Sequence, residues 1–178
     1  KGGLVFGATG GASLYKTALF KDIGLFDEGF FAYYEDVDIS FRAQLAGWKV
    51  AYEPKAIAYH KQGATSKKIP GFTVYQTFKN LPLLFLKNVP RGLILRTGLR
   101  FYFAYWMMLF NAITNGSGAP ALKGLWKSFL LGFKALDDRK NIQKSKRVST
   151  DYIKSILWDD LPPEQTGLRK LRKMFTGK

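Results

Sequence analysis

Phe30-Phe31-Ala32-Tyr33-Tyr34-Glu35-Asp36-Val37-Asp38-Ile39-Ser40-Phe41-Arg42 is the stretch on which the reading of this 178-residue chain turns. Four aromatics crowd its first half and three carboxylates follow. Ile39, Phe41 and Leu45 then recur at spacings compatible with one apolar helix face, until Gly47. The pattern predicts a loop running into a helix N-terminus near Glu35. Carboxylates are favoured there because the first backbone N–H groups lack partners inside the helix and the macrodipole presents positive charge. By itself the triplet is also what an ordinary acidic first turn looks like.

Upstream, residues 24–31 read as a loop bracketed by Gly24 and Gly29 and anchored by Phe26, Phe30 and Phe31. Residues 4–8 form a short apolar run that fits a strand. Thr9-Gly10-Gly11-Ala12 after it marks a backbone that turns or approaches something closely. Residues 13–20 fit strand or helix. Downstream, 48–52 alternates as a strand, Pro54 breaks it, and 56–59 fits a second short strand ending on His60, the sole histidine. Residues 61–68 are a polar loop whose Lys61, Lys67 and Lys68 make either a solvated basic turn or a contact for an anion.

The formal charge is +15, from 28 basic and 13 acidic residues, and it is unevenly placed. Up to Lys68 there are 9 basic and 7 acidic residues; from Ile69 onward there are 19 and 6. The break predicts two regions, 1–68 and 69–178, with an anionic partner on the second. Without cysteine there is neither a disulfide framework nor a cysteine metal site, which suits a cytosolic chain. The apolar run after Lys1-Gly2-Gly3 is too short for a secretory hydrophobic region.

From Ile69 the chain reads as helical. Residues 81–113 are strongly apolar but carry Lys87, Arg91, Arg96 and Arg100 at spacings that place them on roughly one side of a helix. The uninterrupted part, 101–113, would span about 20 Å as a helix, against a hydrocarbon thickness of about 30 Å. That pattern predicts an interfacial helix on anionic lipid, or a pair broken at Pro90; a buried hairpin, packed on the first region or on a second copy, fits as well. Residues 115–120 are a break. Leu122, Leu125, Trp126, Phe129, Leu130, Phe133 and Leu136 then give an amphipathic helix with Lys123, Lys127 and Lys134 off the stripe. Past Pro162-Pro163, Arg169, Lys170, Arg172 and Lys173 beside Leu168, Leu171, Met174 and Phe175 look like a short basic anchor.

Between Gly7 and Ser66 the order Gly-Ala, then Gly24-Leu-Phe-Asp-Glu-Gly-Phe-Phe31, then Glu35-Asp-Val-Asp-Ile-Ser-Phe-Arg42 and a late His60 resembles the second half of an inverting family 2 glycosyltransferase, rhamnosyltransferase-like. The resemblance implies an α/β fold: the C-terminal portion of a GT-A domain, its acceptor-side half, followed by a mostly α-helical basic region. It also implies that the donor-binding half, with its Asp-x-Asp motif, is missing, so that the chain is a fragment inactive alone. Under it Asp36 is the general base, with Glu35 and Asp38 beside it. Gly10, Gly11, Ala12, Tyr33, Tyr34, Arg42 and Lys61 bind donor or acceptor, and His60 ligates a divalent cation, magnesium or manganese.

The implied partners are a nucleotide-sugar donor, a glycan or polyprenyl-linked acceptor and an anionic membrane surface, with self-association as a further expectation. The implied setting is cytoplasmic, peripheral on the inner face of the plasma membrane. The competing class is a nucleic-acid-binding or non-catalytic membrane-surface module, because a basic chain rich in aromatics has that footprint. Against nucleic acid, the aromatics cluster in an apolar run instead of alternating with Lys and Arg.

Overall fold

The computed structural model describes residues 2–61, 63 and 66–157. In chain order these form β1 (Gly3–Val5), α1 (Thr17–Ile23), α2 (Glu35–Leu45), β2 (Val50–Tyr52), a 3-10 turn (Ser66–Lys68), α3 (Phe72–Asn88), α4 (Arg91–Thr114), α5 (Gly118–Lys144) and α6 (Thr150–Ile156). Strands β1 and β2 pair antiparallel, with Leu4 opposite Ala51, and they are the whole of the sheet among the described residues. The rest is helical. Residues 56–59, expected as a strand, have none of that structure: they are exposed and pair with no neighbouring strand.

Helix α2 starts at Glu35, as its acidic triplet requires, and from Asp38 to Leu45 every side chain is buried. An amphipathic surface helix would leave one face wet. Here Ile39 and Ala43 pack with Leu19 of α1, while Phe41 and Leu45 meet Val89, Leu93 and Ile153. The polar Ser40 and Gln44 turn back to the chain start, giving hydrogen bonds with Ala8 N–H and the Val5 and Phe6 carbonyls. Helix α6 lies across α2, and Tyr152 donates to Gln44 Oε1 at 2.8 Å.

The charge break at residue 68 falls inside continuous packing. Phe30 shares a core cluster with Leu83 and Ala135, and α2 shares one with the α3–α4 junction and α6. The long apolar run divides where proline requires it: Val89 is extended, Pro90 cannot continue a helix, and α4 begins at Arg91. Lys87 therefore leaves the basic stripe expected with Arg91, Arg96 and Arg100; it lies in the last turn of α3 and is buried.

Helix α3 also contains Pro82, whose missing N–H leaves the carbonyl of Phe78 without its helical donor. The hydroxyl of Tyr105 on α4 donates to that carbonyl at 2.9 Å, and burial pushes its phenol pKa up to about 12. The last carbonyls of α3 are answered from α5: Arg139 donates to Leu86, and Gln143 to Lys87 and Asn88.

Helix α5 packs on α3 through its small residues. Its buried positions are Ala121, Gly124, Ser128 and Ala135, whereas Trp126, Phe129 and Phe133 of the apolar stripe point outward. Small residues win the contact because the backbones are too close for anything larger: a Cβ on Gly124 would stand 2.4 Å from the Tyr75 carbonyl oxygen. Pro120 sits in the first turn of α5, where a missing N–H costs nothing. The basic anchor expected over 168–175 lies outside the described residues.

Candidate active site

The loop before α2 is held in an uncommon backbone state. Phe31, Tyr33 and Tyr34 have φ of 60, 66 and 72°, the left-handed region that non-glycine side chains rarely adopt. Three such residues in four persist only where the surroundings fix them. Asn80, fully buried on α3, does so: its side-chain amide donates to the carbonyls of Phe30, Ala32 and Tyr33 at 3.0, 2.9 and 2.7 Å. Lys79 adds donations to the Gly29 and Phe30 carbonyls at 3.1 and 3.2 Å. Burial lowers the Lys79 pKa, with the nearby Lys127 adding to that and Asp27 opposing it.

The loop delivers Glu35 and Asp36 to the first turn of α2. Asp36 Oδ2 accepts the Gly10 N–H at 2.8 Å, and Oδ1 accepts the Val37 N–H at 2.8 Å. Both oxygens thus take backbone donors, and the half-buried carboxylate stays at the surface. Glu35 stands alongside: a Cβ on Gly10 would lie 3.5 Å from Asp36 Cβ and 3.7 Å from Glu35 Oε1. Glu35 Oε2 is buried and has no hydrogen-bond partner among the described residues. The Gly10-Gly11 turn also touches the histidine, since a Cβ on Gly11 would meet His60 Nδ1 at 3.2 Å. Gly10, Gly11, Glu35, Asp36 and His60, far apart in sequence, therefore share one place. Ala12 closes the turn by donating its N–H to the Thr9 carbonyl, and Lys61 follows His60 on an exposed segment.

The two tyrosines brace this place. Tyr33 donates its hydroxyl to Ser66 Oγ at 2.7 Å and lies 3.0 Å from Thr73 Oγ1, which ties the loop to the 3-10 turn and to α3. Burial raises the Tyr34 pKa; a hydrogen bond with Thr77 opposes that and Asp36 adds to it.

Asp38, expected as a helper that either orients a loop amide or the acceptor or pairs with Arg42 four residues on, makes that pair, and Arg42, expected to bind donor or acceptor, is engaged with it away from the Gly10-Gly11 turn. Asp38 is fully buried; it accepts from Arg42 Nε and Asn88 Nδ2 at 2.8 Å each, with Lys87 Nζ at 3.2 Å. Arg42 spends its other nitrogens on the carbonyls of Ile23 and Leu25. Lys87 in turn pairs with Asp27. Burial alone would raise the Asp27 carboxyl, but the Lys87 ammonium and the Gly29 N–H more than offset it and hold the pKa below the usual value. Two acids and two bases thus close a buried network that fixes α2, the 23–29 loop and α3 to one another. No substrate reaches Asp38 or the Arg42 guanidinium without opening it.

Lys79, Asn80, Lys87 and Asn88 were not singled out from the sequence, yet a signal was there. Gln76, Lys79, Asn80, Lys87 and Asn88 are polar at helical spacing within an otherwise apolar helix, and all five are buried. Such a stripe needs partners, and the 27–38 segment supplies most of them.

For a divalent cation the fit is poor. Among the described residues no three His, Asp or Glu side chains converge as ligands, and His60 brings one imidazole. These residues do not make a cation site by themselves.

Residues 1–80 match the family described as Glycosyltransferase like family 2. Two curated relatives match over 60 residues at 38% identity, covering 33% of this chain and 20% of each relative: the N-acetylglucosaminyl-diphospho-decaprenol L-rhamnosyltransferases of Mycobacterium tuberculosis strains CDC 1551 / Oshkosh and ATCC 25618 / H37Rv. The chain thus spans about a fifth of the length of the curated relatives it matches. No solved structure matches it significantly. The first 80 residues are glycosyltransferase family 2-like, and 60 residues of the chain are similar to the two rhamnosyltransferases, as the motifs between Gly7 and Ser66 led one to expect.

Proposed function

Starting from a chain whose first 80 residues are glycosyltransferase family 2-like, we propose that the whole protein transfers a sugar, rhamnose by analogy with its relatives, from a nucleoside-diphosphate donor to a polyprenyl-diphosphate-linked glycan, with inversion. The observation that carries this reading is the place of Asp36. It is a surface carboxylate at a helix N-terminus, set against a glycine turn within the family-matched residues.

The chemistry asked of Asp36 is that of a general base. An acceptor hydroxyl lies against the carboxylate and gives up its proton to it as the oxygen attacks the anomeric carbon. The new C–O bond forms on one face while the bond to the diphosphate breaks on the other, so the configuration inverts and the nucleoside diphosphate leaves. The two N–H donors fix the carboxylate in orientation. Glu35 is positioned to orient the acceptor. The glycines of the Gly10-Gly11 turn let its backbone come close to Asp36 and Glu35, and His60 borders it. Asp38 and Arg42 act through position only, by holding α2 against the 23–29 loop.

The test is transfer by the full-length enzyme from a nucleotide-activated rhamnose to a polyprenyl-diphosphate N-acetylglucosamine. A product of inverted anomeric configuration, read by NMR, is expected. Retention of configuration, or no transfer with several activated sugars, would overturn the reading.

A further inference from the structure

Helices α4 and α5 carry one pattern twice. Phe103, Trp106 and Phe110 stand at spacings of three and four on α4, and Trp126, Phe129 and Phe133 at the same spacings on α5. All six are between 47 and 72% exposed. Residues so spaced share a helix face. On α5 they form a continuous ladder: Trp126 stacks on Phe129 at 5.9 Å between ring centroids, and Phe129 meets Phe133 edge-on at 6.4 Å. Single exposed apolar side chains are ordinary, but a run of large aromatics marks a surface that something covers.

Neighbouring helices do not cover it. The small-residue seam of α5 takes α3, and Tyr105, Leu109 and Ala112 of α4 take the Phe78 cluster, so both aromatic faces turn away from the core. Among the described residues no helix is long and apolar enough to cross a membrane. The charge says what the cover is. No acidic residue lies in α4, or in α5 before Asp137. Lys123, Lys127 and Lys134, all exposed, fall in one row roughly 100° around α5 from the ladder. A second copy docked here would set lysine row near lysine row with no acid to answer them. A layer of lipid phosphates above an acyl boundary answers both features at once.

We propose that the outward faces of α4 and α5 dock on an anionic lipid surface, with the aromatic ladder in the headgroup–acyl boundary and Lys123, Lys127 and Lys134 reaching the phosphates. The attachment is peripheral, and the anionic cytoplasmic leaflet is the surface it fits. This goes beyond the transfer reaction and stands or falls separately from it.

The experiment is flotation of the whole protein with phosphatidylcholine vesicles, with and without phosphatidylglycerol, across a salt series. Binding is expected with phosphatidylglycerol, weakening with salt yet persisting in part, because screening removes the charge contribution and not apolar insertion. The Trp126→Ala, Phe129→Ala, Phe133→Ala triple variant should lose the salt-resistant part about tenfold or more. Lys123→Glu with Lys127→Glu should cut binding to the anionic vesicles about thirtyfold or more. Circular dichroism checks the fold of each, and single replacements at the same positions serve if a combined variant does not fold. The proposal is overturned if the protein stays in solution with anionic vesicles at low salt. It is also overturned if binding ignores these substitutions, or if the faces instead join two copies in a dimer that the triple variant abolishes.

Discussion

The side-chain amide of Asn80 donates to the carbonyl of Tyr33 at 2.7 Å, two residues before the first carboxylate of α2. A helix in the basic region thus sets the backbone that presents Glu35 and Asp36. Replacing Asn80 by Ala takes its donor from the carbonyls of Phe30, Ala32 and Tyr33, of which Phe30 keeps Lys79 and the Ala32 N–H. The expected cost is about 1–3 kcal/mol of stability and, in the full-length enzyme, a fall in kcat of about tenfold or more with donor KM little changed. A kcat near wild type in a protein that folds would mean that the loop holds its shape without Asn80.

Tyr105 repairs the gap that Pro82 leaves in α3. Tyr105→Phe keeps the packing and removes only the donor to the Phe78 carbonyl, so urea unfolding should show a loss of about 1–3 kcal/mol. Pro82→Ala in the same background should recover part of it by restoring the helical N–H. Additive effects of the two substitutions would contradict the pairing.

At Gly124 the helices α3 and α5 touch backbone to backbone. Gly124→Ala must push a Cβ against the Tyr75 carbonyl, and despite the better helix propensity of Ala it should destabilise by about 1–3 kcal/mol. A gain in melting temperature would show that the helix pair parts freely.

Asp22 accepts from Trp48 and Arg147, with Arg147 Nη2 at 2.5 Å from Oδ1. The Arg147 hydrogen bond, then that of Trp48, holds its pKa at about 2, below the usual carboxylate value. A depressed folded-state pKa contributes stability that is present above the unfolded value, near 4, and is lost as pH falls through about 2. Melting temperature followed over that interval should drop less steeply for Asp22→Asn than for the parent. Equal slopes would rule the pair out as a source of acid lability.

Much of the site was legible in the sequence because its signals are local. The acidic triplet with Ile39, Phe41 and Leu45 located α2 at Glu35, and the glycine pair and His60 proved to be its neighbours. What the sequence hid was tertiary. Asp38 looks like Asp36 in a one-dimensional reading, yet one turn of backbone sends it into a network with Lys87 and Asn88, fifty residues on. The stripe on α5 was read correctly as apolar, but the contact with α3 falls to Gly124 and its small neighbours, which the stripe does not announce and which allow a closer approach than any leucine could. Residues 56–59 alternate well enough for a strand, but they have no partner strand among the described residues.

The central claim is that Asp36 takes the proton. Single-turnover measurement on the full-length enzyme, wild type against Asp36→Asn, tests it most directly, because asparagine keeps the shape and an acceptor oxygen while losing basicity. Turnover is expected to fall about a hundredfold or more, with donor affinity within about twofold of wild type. Near-wild-type turnover by the Asn variant would contradict the account.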